Sequence, residues 1–179
     1  MRELFLTLQK WKTPIDILIV LIGYSRSKDI AISEQLTEDP LFRSMQTFYR
    51  NLSVFAREVM FIQKQHLKFH DNPLRTVFGR LKYGQNLDKI GDPLNYHLAQ
   101  YPNMRRRLEA VDCGKKCVKL DWTELLCNST DDRFCSSVHP NSGLLFYIDE
   151  HHTSAIGSFI QGQHMRRVYD QRITRSRQT

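Results

Sequence analysis

The sequence predicts an α/β fold of three layers, with a doubly wound, mainly parallel sheet between helices. Residues 15–22 form a run that is rich in β-branched side chains and apolar except for Asp16. Such a run is typical of a strand buried on both faces, as in parallel sheets that helices cover. Helix-spaced and strand-like segments then alternate along the chain. With 179 residues, 41% of them apolar, the chain can bury one sizeable core.

Helix and strand patterns alternate in the first third of the chain. Apolar side chains at helical spacing predict a helix in residues 3–11, before the apolar run. The next helix begins with Asp39 as its N-cap and Pro40 in its first position. Residues 59–63 follow as a second short strand, which gives this region the order of a βαβ unit.

The rest of the chain is less regular. Residues 64–92 are polar and predict an irregular segment. A helix is expected over 94–111, where Pro102 must kink or split it. Residues 117–122 predict a third strand, and residues 154–165 begin a final helix.

The net charge of +7 and the pI near 9.4 raise the question of nucleic-acid binding. Much of the excess lies in residues 165–179, which carry five arginines and lose their apolar period after Tyr169. No RNA-binding signature of glycine and aromatic residues accompanies them. We therefore expect a domain over residues 1–164 followed by a basic C-terminal tail, and no nucleic-acid partner.

The four cysteines indicate two local disulfides. They lie close together, and an even number of clustered cysteines allows three pairings. We expect the nearest-neighbour pairing, Cys113 with Cys117 and Cys127 with Cys135. Structural cysteines in the reduced state and a zinc site are the alternatives, although only the first pair has acceptable zinc spacing.

Two N-glycosylation sequons, at Asn51 and Asn128, point with the cysteines to an oxidising compartment, lumenal or extracellular. No segment approaches the roughly 18 to 20 apolar residues that cross a bilayer. The N-terminus also lacks the features of a signal peptide. We therefore expect the chain to be a piece of a longer protein.

Residues 147–159 carry the candidate site. An apolar approach leads into Asp149, and His152 follows three residues later. A carboxylate that orients a histidine base is half of a catalytic triad. A polar loop whose Asp149 caps the following helix is the alternative without chemistry. A metal site of Asp149, His151 and His152 is disfavoured, because adjacent histidines on a strand point in opposite directions.

Residues 144–158, "LLFYIDEHHTSAIGS", resemble the final block of the SGNH hydrolase-like domain of acyltransferase-3-type membrane O-acyltransferases. The Cys-rich residues 113–135 resemble the nematode-expanded branch of that family. "MRRRLEAV" (104–111) is similar to its preceding basic helix, and residues 14–25 with 39–53 to its central strand and helix. The resemblance covers most of residues 1–164.

The resemblance implies transfer of an acetyl-like acyl group from an acyl donor to a hydroxyl acceptor, through an acyl-serine intermediate. Asp149 would be the triad acid and His152 the base, while His151 occupies a variable position and receives no role. No cofactor or metal is implied. The parent protein would carry a membrane acyltransferase domain, with this domain on the lumenal or extracellular side.

One departure from the family pattern bears on activity. The family places its nucleophile in a Gly-Asp-Ser turn after the first strand, and this sequence has none. Gly23-Tyr24-Ser25 matches the middle of the domain, so Ser25 is a poor substitute. We therefore expect an SGNH domain incomplete at its N-terminus and inactive alone, from a truncated gene model or a degenerate paralogue. The alternative function is a non-catalytic lumenal binding domain of the same fold.

Overall fold

The computed structural model describes residues 2–11, 15–21, 30–65, 67–127, 133–139 and 142–176. They form a mixed α/β structure in which helices flank a parallel three-stranded sheet. The turn at Gly23, Tyr24 and Ser25 and the sequon at Asn128 lie outside the described residues. The chain divides into two compact units, Met1–Lys64 with Tyr101–Leu120 and Gln65–Gln100 with Asp121–Thr179, and each is considered by itself.

The helices and strands follow in chain order. The helices are α1 (Arg2–Lys10), α2 (Pro40–Ser53), α3 (Pro73–Lys82), α4 (Leu94–Ala99), α5 (Pro102–Ala110), α6 (Thr123–Leu126) and α7 (Ala155–Ser176). The strands are β1 (Ile15–Val20), β2 (Ala56–Gln65), β3 (Gly91–Pro93), β4 (Cys117–Asp121) and β5 (Phe134–Ser136).

The first unit is built on the sheet, whose strand order is β1-β2-β4. Strand β1 pairs parallel with β2. Helix α2 begins as predicted: Asp39 is its N-cap and accepts a hydrogen bond from the backbone nitrogen of Phe42 at 2.7 Å. Apolar side chains of α2, β2 and α5 form the core of this unit, among them Tyr49, Met60 and Leu108. The predicted βα order of this region is therefore confirmed.

Strand β1 differs from its prediction in burial. It was expected to be buried on both faces, and among the described residues this is wrong. Leu18 and Val20 pack against the core, whereas Ile17 and Ile19 are 42% and 46% exposed. Alternate side chains of a strand face opposite sides, and among the described residues only one side of β1 packs against the core.

A buried ion pair connects α2 to α5. The guanidinium of Arg107 donates to both carboxylate oxygens of Asp39, at 3.0 and 2.6 Å, and both side chains are almost completely buried. Arg107 also donates to the carbonyls of Ile30 and Ala31, at 3.3 and 2.6 Å. One side chain therefore fixes the start of α2, the segment before it and α5.

The second unit contains a helix that the sequence reading missed. Residues 64–92 were expected to be irregular, yet α3 occupies the middle of this segment. Asn72 accepts a hydrogen bond from the backbone nitrogen of Arg75 at 2.9 Å, and Pro73 takes the first helical position. The expected split at Pro102 is confirmed, because α4 ends at Ala99 and α5 begins at Pro102.

The two disulfides have the expected pairing. Cys113 is bonded to Cys117, and Cys127 to Cys135. Cys135 lies in β5, which forms a two-stranded antiparallel ribbon with β3 that the sequence reading did not include.

Helix α7 extends into the predicted basic tail and ends at Ser176. Its first turn lies against the chain at Phe146. A Cβ atom on Gly157 would come within 2.1 Å of the Phe146 carbonyl oxygen, so only glycine fits there. Gly162 lies further along the same helix with nothing within 4 Å of such an atom.

We predict that Arg107→Ala lowers the free energy of unfolding by roughly 3 to 5 kcal/mol, because it leaves the Asp39 carboxylate buried and unpaired. Chemical denaturation measures this. Arg50→Ala is the matched control: its pair with Asp112 is 61% and 71% exposed, so the loss should stay below about 1 kcal/mol. Comparable losses in both variants would contradict the assigned role.

The same pair predicts a pH dependence. The hydrogen bond from Arg107 holds the pKa of Asp39 well below its ordinary value of 3.8. The stabilisation is therefore present above pH 3.8 and is lost as the pH falls below it. Across that range, the difference in stability between the wild type and Asp39→Asn should shrink.

Substituting the two glycines of α7 should have opposite effects. Gly157→Ala forces a methyl group against the Phe146 carbonyl and should cost roughly 1 to 3 kcal/mol. Gly162→Ala adds a better helix former in open space and should stabilise by up to about 1 kcal/mol. Denaturation curves of the two variants measure the change in the free energy of unfolding. A change of the same sign in both variants would show that the contact at Phe146 is not tight.

Candidate functional site

The predicted Asp149–His152 pair lies in a tight turn of the second unit. Tyr147 and Thr153 form an antiparallel bridge, and the backbone nitrogen of Ile148 donates to the carbonyl of His152 at 2.9 Å. The residues between them therefore reverse the chain direction before α7 begins.

Asp149 organises this turn through both of its carboxylate oxygens. Oδ1 accepts hydrogen bonds from the backbone nitrogens of His151 and His152, at 2.9 and 2.8 Å. Aspartate commonly holds turns in this way, by binding backbone N–H groups of the residues that follow. Oδ2 lies 2.7 Å from Nδ1 of the His152 imidazole. The structure thus brings together the two residues that the sequence selected, while their chemical roles remain a prediction.

The charge state of Asp149 follows from these contacts. Partial burial alone would raise its pKa, but the His151 backbone N–H and the His152 imidazole outweigh that effect and hold it at about 2. Asp149 is therefore ionised at neutral pH. Because a carboxylate only accepts hydrogen bonds, Nδ1 of His152 must be the donor, which leaves Nε2 as the basic nitrogen of a neutral ring.

The two side chains differ in accessibility. That of Asp149 is 31% exposed and that of His152 is 66% exposed. The imidazole can therefore be reached from solvent while its orienting carboxylate is partly shielded. This combination suits a base that must meet a second reactant.

Backbone hydrogen bonds hold the turn within the second unit. Phe146 donates to the carbonyl of Ser137 at 2.8 Å, and Ser137 donates to that of Ile90 at 2.9 Å, beside the β3–β5 ribbon. From another segment, the backbone nitrogen of Phe69 donates to the carbonyl of Glu150 at 2.7 Å. The turn that carries the candidate pair is thus bonded to two other parts of its unit.

The helix-capping alternative for Asp149 does not describe the observed geometry. The hydroxyl of Ser154 accepts a hydrogen bond from the Gly157 backbone nitrogen at 3.0 Å, in the first turn of α7. Asp149 caps its own turn instead. A structural role for this carboxylate therefore exists, but it is local to the residues that carry the imidazole.

No serine or threonine hydroxyl hydrogen-bonds to His152 in the part of the chain that the structure describes. The neighbouring hydroxyls have other partners: Thr153 Oγ1 lies 2.8 Å from Ser158 Oγ, and Ser154 bonds to the Leu145 carbonyl. Ser25, the weak sequence candidate, falls outside the described residues. Among the described residues, no hydroxyl is therefore placed to react with the help of His152.

A small cavity lies in the same unit and includes Phe69, whose backbone nitrogen bonds to Glu150. Its volume is about 70 Å³, well below the roughly 300 to 1,000 Å³ typical of sites for drug-sized ligands. The sequence reading did not find it, although the Asn72–Pro73 helix start on its rim was a readable signal. Its lining residues are Phe69, Asp71, Pro73, Thr76, Arg80, Lys89, Ile90, Gly91, Asp92 and Ser137.

The two adjacent histidines also differ from expectation. The prediction that both histidines lie on a strand, with side chains pointing in opposite directions, is wrong. Residues 149–152 form a turn instead. The imidazole rings of His151 and His152 have centroids 4.5 Å apart. A nitrogen of each ring and a carboxylate oxygen of Asp149 lie within 4.8 Å of one another.

His97, which the sequence reading did not single out, is the most buried histidine among those described and lies on α4. Its ring is completely buried and packs edge-on against Phe69, with ring centroids 5.0 Å apart. Burial lowers its pKa to about 4, although Asp92 and the Lys68 backbone act in the opposite direction. His97 is therefore a neutral core residue at physiological pH.

Comparisons of this chain with protein-family models, with curated proteins and with solved structures gave no match. Within the described ranges, no helix combines the length and the apolar character needed to cross a membrane.

His97 predicts a pH dependence of stability that can be separated from that of the carboxylates. Its pKa is about 4 in the folded chain and has an ordinary value of 6.5. Between these values the unfolded chain binds a proton that the folded chain does not, so stability falls as the pH drops from 6.5 to 4. The total loss should reach at most about 3 kcal/mol.

Denaturation curves measured across that pH range test this expectation. His97→Phe keeps an aromatic ring against Phe69 but cannot titrate, so its stability should vary less with pH. An identical pH slope in the wild type and the variant would assign the effect to another group.

Proposed function

We propose that this chain supplies the acid–base half of an acyl-transfer site that moves an acetyl-like group from an acyl donor to a hydroxyl acceptor. The observation that carries the proposal is the 2.7 Å contact between Asp149 Oδ2 and His152 Nδ1. It fixes the imidazole tautomer and leaves Nε2 accessible, which is what a general base requires.

The chemistry assigned to the pair has two stages. A serine hydroxyl attacks the acyl carbon while His152 Nε2 accepts its proton, and the imidazolium then protonates the leaving group of the donor. The hydroxyl of the acceptor next attacks the acyl-serine, again giving its proton to Nε2. The proton returns to the serine oxygen as the ester product leaves. Asp149 stabilises the imidazolium in both stages.

The nucleophilic serine is assigned to sequence outside the described residues. The resemblance to SGNH domains of membrane O-acyltransferases implies a serine in a Gly-Asp-Ser turn, which this sequence does not contain. It also implies a doubly wound three-layer sheet, of which β1, β2 and β4 would be part. The exposed position of His152 supports this assignment, because a serine from another segment could reach the ring.

A lumenal or extracellular location fits the proposal. Both disulfides connect cysteines that are near in sequence, and such bonds persist in oxidising compartments. Asn51 of the first sequon is exposed on α2 and is available for glycosylation. The membrane domain of the parent protein would deliver the acyl donor on that side.

A second candidate function is that of a non-catalytic lumenal binding domain of the same fold. One observation favours it: Asp149 already holds its turn through two backbone N–H groups, a role that needs no reaction. The two functions make opposite predictions for His152.

The test uses the chain extended at its N-terminus by the genomic sequence in frame before Met1. Acyl transfer to a hydroxyl acceptor is measured with an acetyl ester as donor. We expect His152→Ala and Asp149→Asn to lower the rate by about 10² to 10⁴-fold, the range of general acid–base catalysis. The chain without the extension should show no transfer.

His151→Ala is the matched control, because it removes the neighbouring exposed imidazole and leaves the Asp149–His152 contact. Its rate should stay within about threefold of the wild type, a change small beside general-base effects. Equal activity of His152→Ala and the wild type would reject the catalytic role and leave the binding domain. The catalytic role is also rejected if the extension contains no serine turn and the extended chain has no activity.

A further inference from the structure

We propose that Asp149, His151 and His152 form a binding site for one Zn²⁺ ion. The turn places one nitrogen from each imidazole and one carboxylate oxygen within 4.8 Å of one another. All three ligands come from four consecutive residues. This arrangement is distinct from the proton-transfer role, in which His151 has no part.

The geometry requires only side-chain rotation to accept the ion. Ligand atoms in a tetrahedral zinc site lie about 3.3 Å apart, the edge length set by bonds of about 2.0 to 2.1 Å. Asp149 Oδ2 and His152 Nδ1 are already 2.7 Å apart, so an ion that replaces the shared proton widens this contact slightly. The exposed His151 ring then turns through its free torsions to supply the third ligand.

The backbone is already positioned for this site. Asp149 Oδ1 accepts two backbone hydrogen bonds, so the carboxylate is fixed while Oδ2 faces the imidazole of His152. A ligand held by its second oxygen loses little conformational freedom on binding. The Tyr147–Thr153 bridge closes the turn on both sides.

The donor set determines which ion is favoured. Two imidazoles and one carboxylate are ligands that suit Zn²⁺, whereas Mg²⁺ and Ca²⁺ prefer sites made almost entirely of oxygen. A carboxylate contributes a negatively charged oxygen ligand at neutral pH. Three protein ligands leave a fourth position for water.

An ion in this site is coordinated by Nδ1 of His152, so the His152 ring can no longer share its proton with Asp149. Bound Zn²⁺ and the proton transfer proposed above therefore exclude one another, but zinc binding itself does not depend on acyl transfer. The test accordingly measures binding to the chain without any assay of activity.

Calorimetric titration of the tag-free full chain with ZnCl₂ should show saturable binding of one ion. His151→Ala and His152→Ala should each weaken the affinity at least about 10-fold, because even partners that only orient metal ligands contribute that much. The matched control is His70→Ala. His70 is an exposed histidine whose Nδ1 lies 3.1 Å from a carboxylate oxygen of Asp71, and its loss should leave zinc binding unchanged.

A measurement on the wild type needs no variant. The imidazole proton signals of His151 and His152 should shift together on addition of Zn²⁺ and stay in place on addition of Mg²⁺. The proposal is overturned by the lack of saturable binding, by wild-type affinity in His151→Ala, or by equal responses to the two ions.

Discussion

A charge pair removed from water organises the first unit. Asp39 and Arg107 are 68 positions apart in sequence, and each has almost no exposed surface. Burying two charges is costly, and the cost is offset only when nearly every donor and acceptor finds a partner. That condition is met here by the two carboxylate oxygens, by the carbonyls of Ile30 and Ala31, and by the Phe42 backbone nitrogen. The position of α5 beside the start of α2 follows from it.

The same chemical group is used differently in the second unit. Asp149, like Asp39, accepts two backbone N–H bonds and also binds one cationic or polar side chain, although one of the donors to Asp39, Ser33, precedes it in sequence. The two pairs differ in solvent access, because Arg107 is buried in the core whereas the imidazole of His152 is exposed. Burial makes the first pair structural. Exposure leaves the second pair able to exchange a proton or a ligand.

Local signals in the sequence predicted local features of the structure. A helix starts at Asp39–Pro40, and a helix is interrupted at Pro102. The cysteine spacings correspond to disulfides between near neighbours. The Asp149–His152 contact was readable for the same reason. Helix α3 was missed even though Asn72–Pro73 repeats the first signal, because the polar residues around it obscured the pattern. The exposure of β1 and the Asp39–Arg107 pair depend on distant parts of the chain, and no local pattern encodes them.

Within the described ranges one side of β1 is uncovered, and this has a consequence for handling the protein. An end strand with unpaired backbone groups and bare isoleucines is a template on which strands of other copies can add. In the described structure Ile17 and Ile19 form such a surface. Asp16 lies in the same strand and forms an ion pair with Arg57 at 2.5 Å, and charges on an end strand disfavour further pairing. Self-association during expression and concentration should therefore start at this strand, and neutralising Asp16 would promote it.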